Sequence, residues 1–424
     1  MNIEISSIVN GLKVITDPMA NLESAALGVW VATGSRNEMP AEMGLSHMLE
    51  HMAFKGTTGR TARQIAEEIE AVGGYLNAYT GREQTAFHAR VLKADVPLAL
   101  DIIADILVNS TFAQDELERE RQVVLQELGQ ARDTPDDIVF DHLQSAIYRD
   151  QSLGWPILGE EATVTGFSRD ALRAYSGRQY RAGAMTLVSS GAVAHRDIVD
   201  LVSEKFAGVT AGGNEPMTPA RYVGGDFRDE QDLEQAHIVY AFPGVAANDP
   251  DFHVAQLHAM VLGGGMSSRL FQEVREKRGL CYSIYAFTNN FQDTGFTGIY
   301  AGTGEREAGE LSAVIAGEME AMTGVIGEAE LSRAKAQLKS GLLMGLERPG
   351  TRAEQIAGQM FTLGRVQSVA EMVAQIDGVD TAAIARYAAR VMAEPSIAAV
   401  GPVGKLEHHD IFSARFARGR QAAE

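Results

Sequence analysis

The 424-residue sequence predicts an α+β protein made of two homologous α/β domains, roughly 1–212 and 226–424. Three observations carry that reading. The chain is too long for one ordinary hydrophobic core. One order of elements (apolar strand, helix, hairpin, charge-paired helix) runs through the first half and restarts near residue 235. Between the copies lies "GVTAGGNEPMTPARYVGGDFRDEQD", rich in Gly and Pro and poor in periodicity, with residues 213–225 read as a linker.

In the first copy, "NGLKVITDP" reads as a strand with turn residues at both ends, and the apolar, β-branched "SAALGVWVATGS" as a buried strand. "EMGLSHMLEHMAF" has helical spacing, with Leu45, Met48, Leu49, Met52 and Ala53 on one stripe. "TARQIAEEIEAVGG" follows as an amphipathic helix opened by Thr61 as N-cap and closed by Gly73-Gly74. "YLNAYTGREQTAFHARVL" alternates across a turn at Gly81 and predicts a hairpin. "DVPLALDIIADILVNS" and "DELERERQVVLQELGQARD" are helices, the second with paired charges on one side and Leu117, Val124, Leu125 and Leu128 on the other. The second copy repeats these with "AHIVYAFPGV", "FHVAQLHAMVLGGG", "SSRLFQEVREKRGLCYSIYAF" and "EAELSRAKAQLKSGLL".

Composition excludes several classes of function. With 45% hydrophobic and 22% charged residues and no low-complexity run, the chain is globular. No stretch approaches the roughly 18 apolar residues of a membrane span, and "MNIEISSIVNGLKVITDP" lacks the pattern of a signal or transit peptide. Cys281 is the single cysteine, which excludes an intrachain disulfide framework and fits a reducing, cytoplasmic compartment. A formal net charge of −19 argues against nucleic acid as the main partner.

Within the apolar stripe, "HMLEH" places His47, Glu50 and His51 where a buried helix would use leucine or alanine. Positions i and i+4 lie about 40° apart around a helix, so two imidazoles there converge on one small cation. A catalytic zinc takes three protein ligands plus water, and a neighbouring carboxylate takes the proton from that water as it attacks a carbonyl. The spacing H-x-x-E-H is the inverted zincin motif. The second copy supplies an internal control. A shift of 208 residues sets Ala255 opposite His47, His258 opposite Glu50 and Ala259 opposite His51, and a shift of 214 sets Gly341 opposite Glu127. The repeat keeps the helices without the polar cluster, so the cluster serves function. The third ligand is expected on "DELERERQVVLQELGQ", with Glu127 the best candidate and Glu120 on the same face two turns earlier. Glu116 and Glu118 read as a solvated face paired with arginines.

The chain resembles the inverzincin metallopeptidases of the pitrilysin family, within the group of the mitochondrial processing peptidase β subunit and its bacterial relatives. "HMLEHMAFKGT" matches the family's zinc motif, "GGYLNAYTGREQT" its substrate-strand segment, and "ERERQVVLQEL" its distal glutamate, which stands 127 − 51 = 76 residues after His51. The resemblance implies that each domain is a mostly antiparallel sheet with helices packed on one side, and that the two form a clamshell enclosing a chamber for extended peptides. It implies one zinc held by His47, His51 and Glu127, Glu50 as general base, and Glu120 as the group that orients a ligand. It places Asn77 and Ala78 on an edge strand that takes up the substrate main chain, and assigns Arg275 and Tyr282 to the substrate main chain or the developing oxyanion.

Asp137 and Asp141, ten and fourteen residues after Glu127, match acidic positions that contact a basic side chain near the cleavage point; a solvated acidic turn is the equal alternative. "GGGMSS" at 263–268 lacks the ending of a phosphate loop and reads as a partial match to the family's glycine-rich loop or as a turn between helices. Cys281 reads as a packed small hydrophobe. The expected function is that of a soluble zinc metalloendopeptidase acting on extended peptides, without nucleic-acid or membrane partners. The zinc motif and the Arg275/Tyr282 pair in one chain favour a homodimer. The rivals are a catalytically silent structural subunit, a partner-dependent processing subunit, and a metal-binding protein that does not hydrolyse peptides.

Overall fold

The apolar and β-branched runs assemble into two sheets of matching topology in a computed structural model that describes residues 2–420. The first sheet contains β1 (Glu4–Ser7), β2 (Lys13–Pro18), β3 (Ser24–Val31), β4 (Tyr75–Thr80), β5 (Thr85–Leu92) and β6 (Met185–Gly191), in the order β1-β2-β6-β3-β5-β4. Its neighbours are antiparallel except β2 with β6. The second contains β7 (Asp226–Glu230), β8 (Ala236–Pro243), β9 (Cys281–Asn290), β10 (Gly295–Thr303) and β11 (Ser396–Gly401), in the order β7-β11-β8-β10-β9. Here too one pair is parallel, β7 with β11, at the end of the sheet opposite the hairpin, where the first sheet adds β1 beyond its own parallel pair. The short, polar β1 extends the first sheet and has no hydrophobic signal in sequence.

The helices repeat in the same way. The first copy supplies α1 (Leu45–Ala53), α2 (Ala62–Ala71), α3 (Val96–Val108), α4 (Gln114–Arg132), α5 (Pro135–Ile147), α6 (Glu161–Gly166), α7 (Arg169–Gln179) and α8 (His195–Lys205). The second supplies α9 (Phe252–Gly263), α10 (Glu305–Ala321), α11 (Glu328–Gly345), α12 (Pro349–Leu363), α13 (Val369–Gly378), α14 (Thr381–Val391) and α15 (His409–Arg420). In place of a second α2, Phe271–Glu276 form a π-helical turn. Thr61 caps α2 as its sequence predicts, its side chain accepting from the Gln64 amide.

The chain forms two compact units, and they do not coincide with the two halves of the sequence. One comprises residues 1–129, 155–218 and 343–367; the other comprises 130–154, 219–342 and 368–424. The repeat boundaries at 212 and 226 therefore describe the pattern of the sequence, whereas the packed units exchange one helix each. Most helices stack on one face of their own sheet, where Leu27, Val29, Met48, Leu49, Leu100 and Ile103 share the first core and Ile238, Tyr240, Leu257, Leu311 and Ile384 the second. The opposite face of the first sheet (Ile15, Trp30, Ala86, Val188) is covered by Ala353, Ile356, Ala357 and Met360 of α12. The opposite face of the second (Val239, Ala241, Ala398, Val400) is covered by Val139, Leu143 and Ile147 of α5. These two helices begin at Pro135 and Pro349, the same offset of 214 residues that relates α4 to α11 in the repeat. Full burial of a side chain such as Ile356 contributes roughly 1.5–3 kcal/mol, so the exchanged helix is part of the stability of the unit it joins.

Candidate metal centre

The site begins at the N-terminus of α1. Gly44 precedes the helix at φ +92°, and a Cβ there would stand 2.7 Å from the Gly159 Cα and the Leu158 carbonyl, so only glycine fits. The Glu38 carboxylate accepts the Gly44 amide at 2.9 Å and the Ser46 amide at 2.7 Å, satisfying two of the helix's first donors. Burial pushes the Glu38 carboxyl up to about 8 against the pull of those bonds. The Ser46 hydroxyl lies 2.6 Å from that of Tyr175 on α7. With Leu45, Met48, Leu49 and Met52 buried beneath, α1 is fixed, and His47, Glu50 and His51 stand half-buried on its remaining side.

The two imidazoles, one helical turn apart, present Nε2 atoms 3.2 Å from each other. α4 brings Glu127 to both, its Oε2 lying 3.6 Å from His47 Nε2 and 3.5 Å from His51 Nε2. Four-coordinate zinc with ligands at about 2.0–2.1 Å separates neighbouring ligand atoms by about 3.3 Å. The triangle of two nitrogens and one carboxylate oxygen therefore has the dimensions and donor chemistry of such a centre. Burial, followed by the proximity of His51, pushes the His47 imidazole down to about 3, which keeps its lone pair available at neutral pH. Glu120, on the same face of α4 two turns earlier, lies 3.1 Å from His51 Nδ1 through Oε2 and pairs with Lys55 Nζ at 2.7 Å through Oε1. A carboxylate at Nδ1 fixes the tautomer that leaves Nε2 facing the triangle.

Glu50 projects beside the triangle without joining it. Its Oε2 accepts the Thr80 hydroxyl at 2.5 Å, from the last residue of the edge strand β4. Burial raises the Glu50 carboxyl above the ordinary range, with Thr80 and His51 opposing. A carboxyl held by one oxygen and tuned upward is suited to proton transfer near neutral pH.

The chain has close counterparts among known proteins. Residues 13–161 match the family model of insulinase (peptidase family M16), and residues 166–338 match that of the peptidase M16 inactive domain. The chain belongs to peptidase family M16. It is 39% identical to a Rickettsia bellii protein described as an uncharacterized zinc protease, over 95% of this chain and 98% of that one. It is 36% identical to a probable mitochondrial-processing peptidase subunit beta of Arabidopsis thaliana, over 97% of this chain and 80% of that one. A solved protease from Helicobacter pylori has the same fold at a TM-score of 0.87 and 20% identity, covering 95% of this chain and 99% of that one. The family and its named relatives make this an M16 zinc protease homologue with the mixed α/β two-domain fold.

The remaining residues singled out from the M16 sequence fall into separate groups. Asn77 and Ala78 lie on β4, which among the described residues pairs with β5 alone and so leaves one edge unpaired. The Asn77 side chain accepts the Ala78 amide at 2.9 Å and donates to the Tyr75 hydroxyl at 2.7 Å. Arg275, in the π-helical turn, and Tyr282, on β9, belong to the second unit, where the guanidinium sits 5.0 Å from the tyrosine ring centroid and 4.8 Å from that of Phe271. Tyr282 is 77% exposed. The acidic run is no turn: Asp136, Asp137 and Asp141 occupy α5, the first two in its first turn, with Asp137 exposed and Asp141 half-buried. The segment 264–268 is the turn between α9 and the π-helical turn, and Cys281 is buried, which pushes its thiol up to about 11. Among the described residues no helix is long and apolar enough to cross a membrane. Sequence reading gave no role to Thr80 or Lys55. Strand parity sets Thr80 on the face of Leu76 and Ala78, which is the one signal that pointed toward α1.

Proposed function

We propose that this M16 protein is a zinc-dependent endopeptidase that hydrolyses peptide bonds in extended or unfolded peptides. The observation that carries the reading is the donor triangle of His47, His51 and Glu127 with Glu50 held beside it by Thr80. His47, His51 and Glu127 would hold one zinc per chain, which when bound supplies Lewis acidity toward a carbonyl and a water. Glu50 takes a proton at its free oxygen and passes it to the leaving amine, while Thr80 keeps the other oxygen engaged. Glu120 and Lys55 hold His51 in the tautomer that leaves Nε2 a ligand. The open edge of β4 offers main-chain hydrogen bonds to an extended peptide, which gives affinity with little sequence preference. Arg275 and Tyr282 supply a cation and a phenol donor for the substrate main chain or the developing oxyanion.

Glu50→Gln tests the reading: zinc by metal analysis stays at one per chain while peptide turnover falls by about 10²–10⁴-fold. Turnover like that of the unaltered enzyme removes Glu50 from the role of base. A preference for basic residues near the cleavage point rests on Asp137 and Asp141. Asp137→Asn with Asp141→Asn then lowers cleavage of Arg-containing peptides more than of neutral ones, and equal loss in both sets rejects it. The working form is a homodimer in the cytoplasm, a compartment that suits the single buried Cys281. The relative named as a processing-peptidase subunit favours a partner-dependent alternative. Size-exclusion chromatography with an assay of the pure chain separates the two, since an inert monomer contradicts the homodimer, and cell fractionation checks the location.

A further inference from the structure

The exchanged helix α12 does more than cover the first sheet. Its acid Glu354 meets three donors on the face opposite α1. Oε2 accepts the Trp30 indole N–H at 3.1 Å, and Oε1 accepts the Gln84 amide at 3.2 Å and the Tyr79 hydroxyl. Gln84 Nε2 also reaches the Tyr79 hydroxyl at 2.9 Å. Tyr79 stands on β4, one residue before its end, and Gln84 is the last residue of the loop that leads into β5. Thr80 is the residue between Tyr79 and the turn, and alternation along the strand sends its side chain through to the other face, where it holds Glu50.

The rest of the tip is fixed as well. The Gly81 amide donates to the Gln84 carbonyl at 2.7 Å, Arg82 donates to the Trp155 carbonyl, Glu83 pairs with Arg36, and the Thr85 hydroxyl donates to the Thr33 carbonyl at 2.9 Å. Burial and the charge of Glu354 keep the Tyr79 hydroxyl protonated, so it remains a donor. Trp30 Nε1 lies 3.3 Å from the same hydroxyl. Glu354 is thus the acceptor on which Trp30 of β3, Tyr79 of β4 and Gln84 of the hairpin loop converge, and the last two flank Thr80 and its turn.

We infer that Glu354 is a positioning residue for Glu50, acting through Tyr79, Gln84 and Thr80 rather than by contact with substrate. The inference rests on the reading of Glu50 as base, and it explains why the sheet's outer face recruits a carboxylate from the distant half of the sequence.

Amide exchange in the metal-free protein tests the link without any turnover. Glu354→Gln, which preserves shape but turns an N–H toward existing donors, is expected to speed exchange across residues 79–85, and unchanged protection there overturns the inference. Peptide kinetics supply the second arm. Glu354→Gln lowers kcat by about tenfold or more, because displacements of the order of 1 Å at a reacting group cost up to about 10²-fold. KM stays within about twofold, and zinc content is unchanged. In a Thr80→Val background the same substitution adds no further loss, as expected of groups acting through one path. Equal losses in both backgrounds overturn the inference. Ile356→Ala, which loosens α12 without touching the network, lowers stability but leaves kcat in place; a matching fall in kcat would assign the effect to helix packing instead. An unaltered enzyme that shows no turnover refutes the peptidase reading, while the exchange experiment still decides the role of Glu354.

Discussion

Helices α1 and α9 occupy equivalent places in the repeat and have opposite fates. In α1, His47, Glu50 and His51 are half-buried and face one another's partners on α4 and β4. In α9 the positions opposite them are Ala255, His258 and Ala259, all buried. His258 is sealed completely, with neither ring nitrogen hydrogen-bonded and the Tyr387 ring 5.2 Å away. The helix therefore needs apolar residues on its inner stripe and tolerates several chemistries on the rest. The donor triangle arises where polar groups replace packing atoms and the position stays open to solvent. Where it closes, alanine fills two of the three sites.

The sharpest way to break this comparison is to give α1 the alanines of α9. His47→Ala with His51→Ala should remove zinc and bring peptide turnover below detection while the thermal midpoint stays within a few degrees, on the order of 1 kcal/mol. Loss of the folded state would show that the cluster is needed for the fold and end the argument. Next in size are the exchanged helices. Ile356→Ala in α12 and Leu143→Ala in α5, both fully buried, should each cost about 2–5 kcal/mol in denaturant unfolding. If either cost is negligible, that helix does not close its sheet.

His258 offers a pH-dependent contrast. Burial, followed by the charge of Arg269, pushes its imidazole down from 6.5 to about 4. Between those values the unfolded chain binds a proton that the folded chain does not, so stability falls as pH drops through this window and is fully present above it. The difference amounts to about 3 kcal/mol by pH 4. His258→Leu should remove that share of acid sensitivity, measured as the difference between the two unfolding curves against pH. Parallel curves would show that the imidazole titrates normally. The smallest effect is expected at Glu120. Glu120→Gln should weaken zinc binding by about 10–100-fold in competition with a chelator while leaving the fold intact. An unchanged affinity would reduce its bond to His51 to a packing contact.

Much of this was legible from residue types and spacing. The triad was readable because histidine and glutamate interrupt an apolar stripe, and because the second copy shows the same helix without them. The hairpin was readable from alternation around Gly81. Other features left no comparable trace. Thr80 at a strand end and Lys55 after a helix are ordinary residues in ordinary places, and only the fold sets them against Glu50 and Glu120. The acidic run at 133–141 was ambiguous because a first helical turn favours aspartate for the same electrostatic reason that a cation-binding site does. The exchange of α5 and α12 was invisible for a different reason. The spacing of Ala353, Ile356, Ala357 and Met360 announces a buried face but not which sheet it buries.

That exchange has a consequence for how the chain comes into being. On a ribosome the first sheet emerges long before residues 349–363, so its face with Trp30 and Val188 stays wet until α12 has been made. The second sheet has its covering helix in hand from the start, since α5 precedes it. Synthesis order thus leaves the earlier-born unit waiting for the later one. A nick in the stretch around 213–218 would leave two fragments still clasped, each holding a helix that the other's sheet requires.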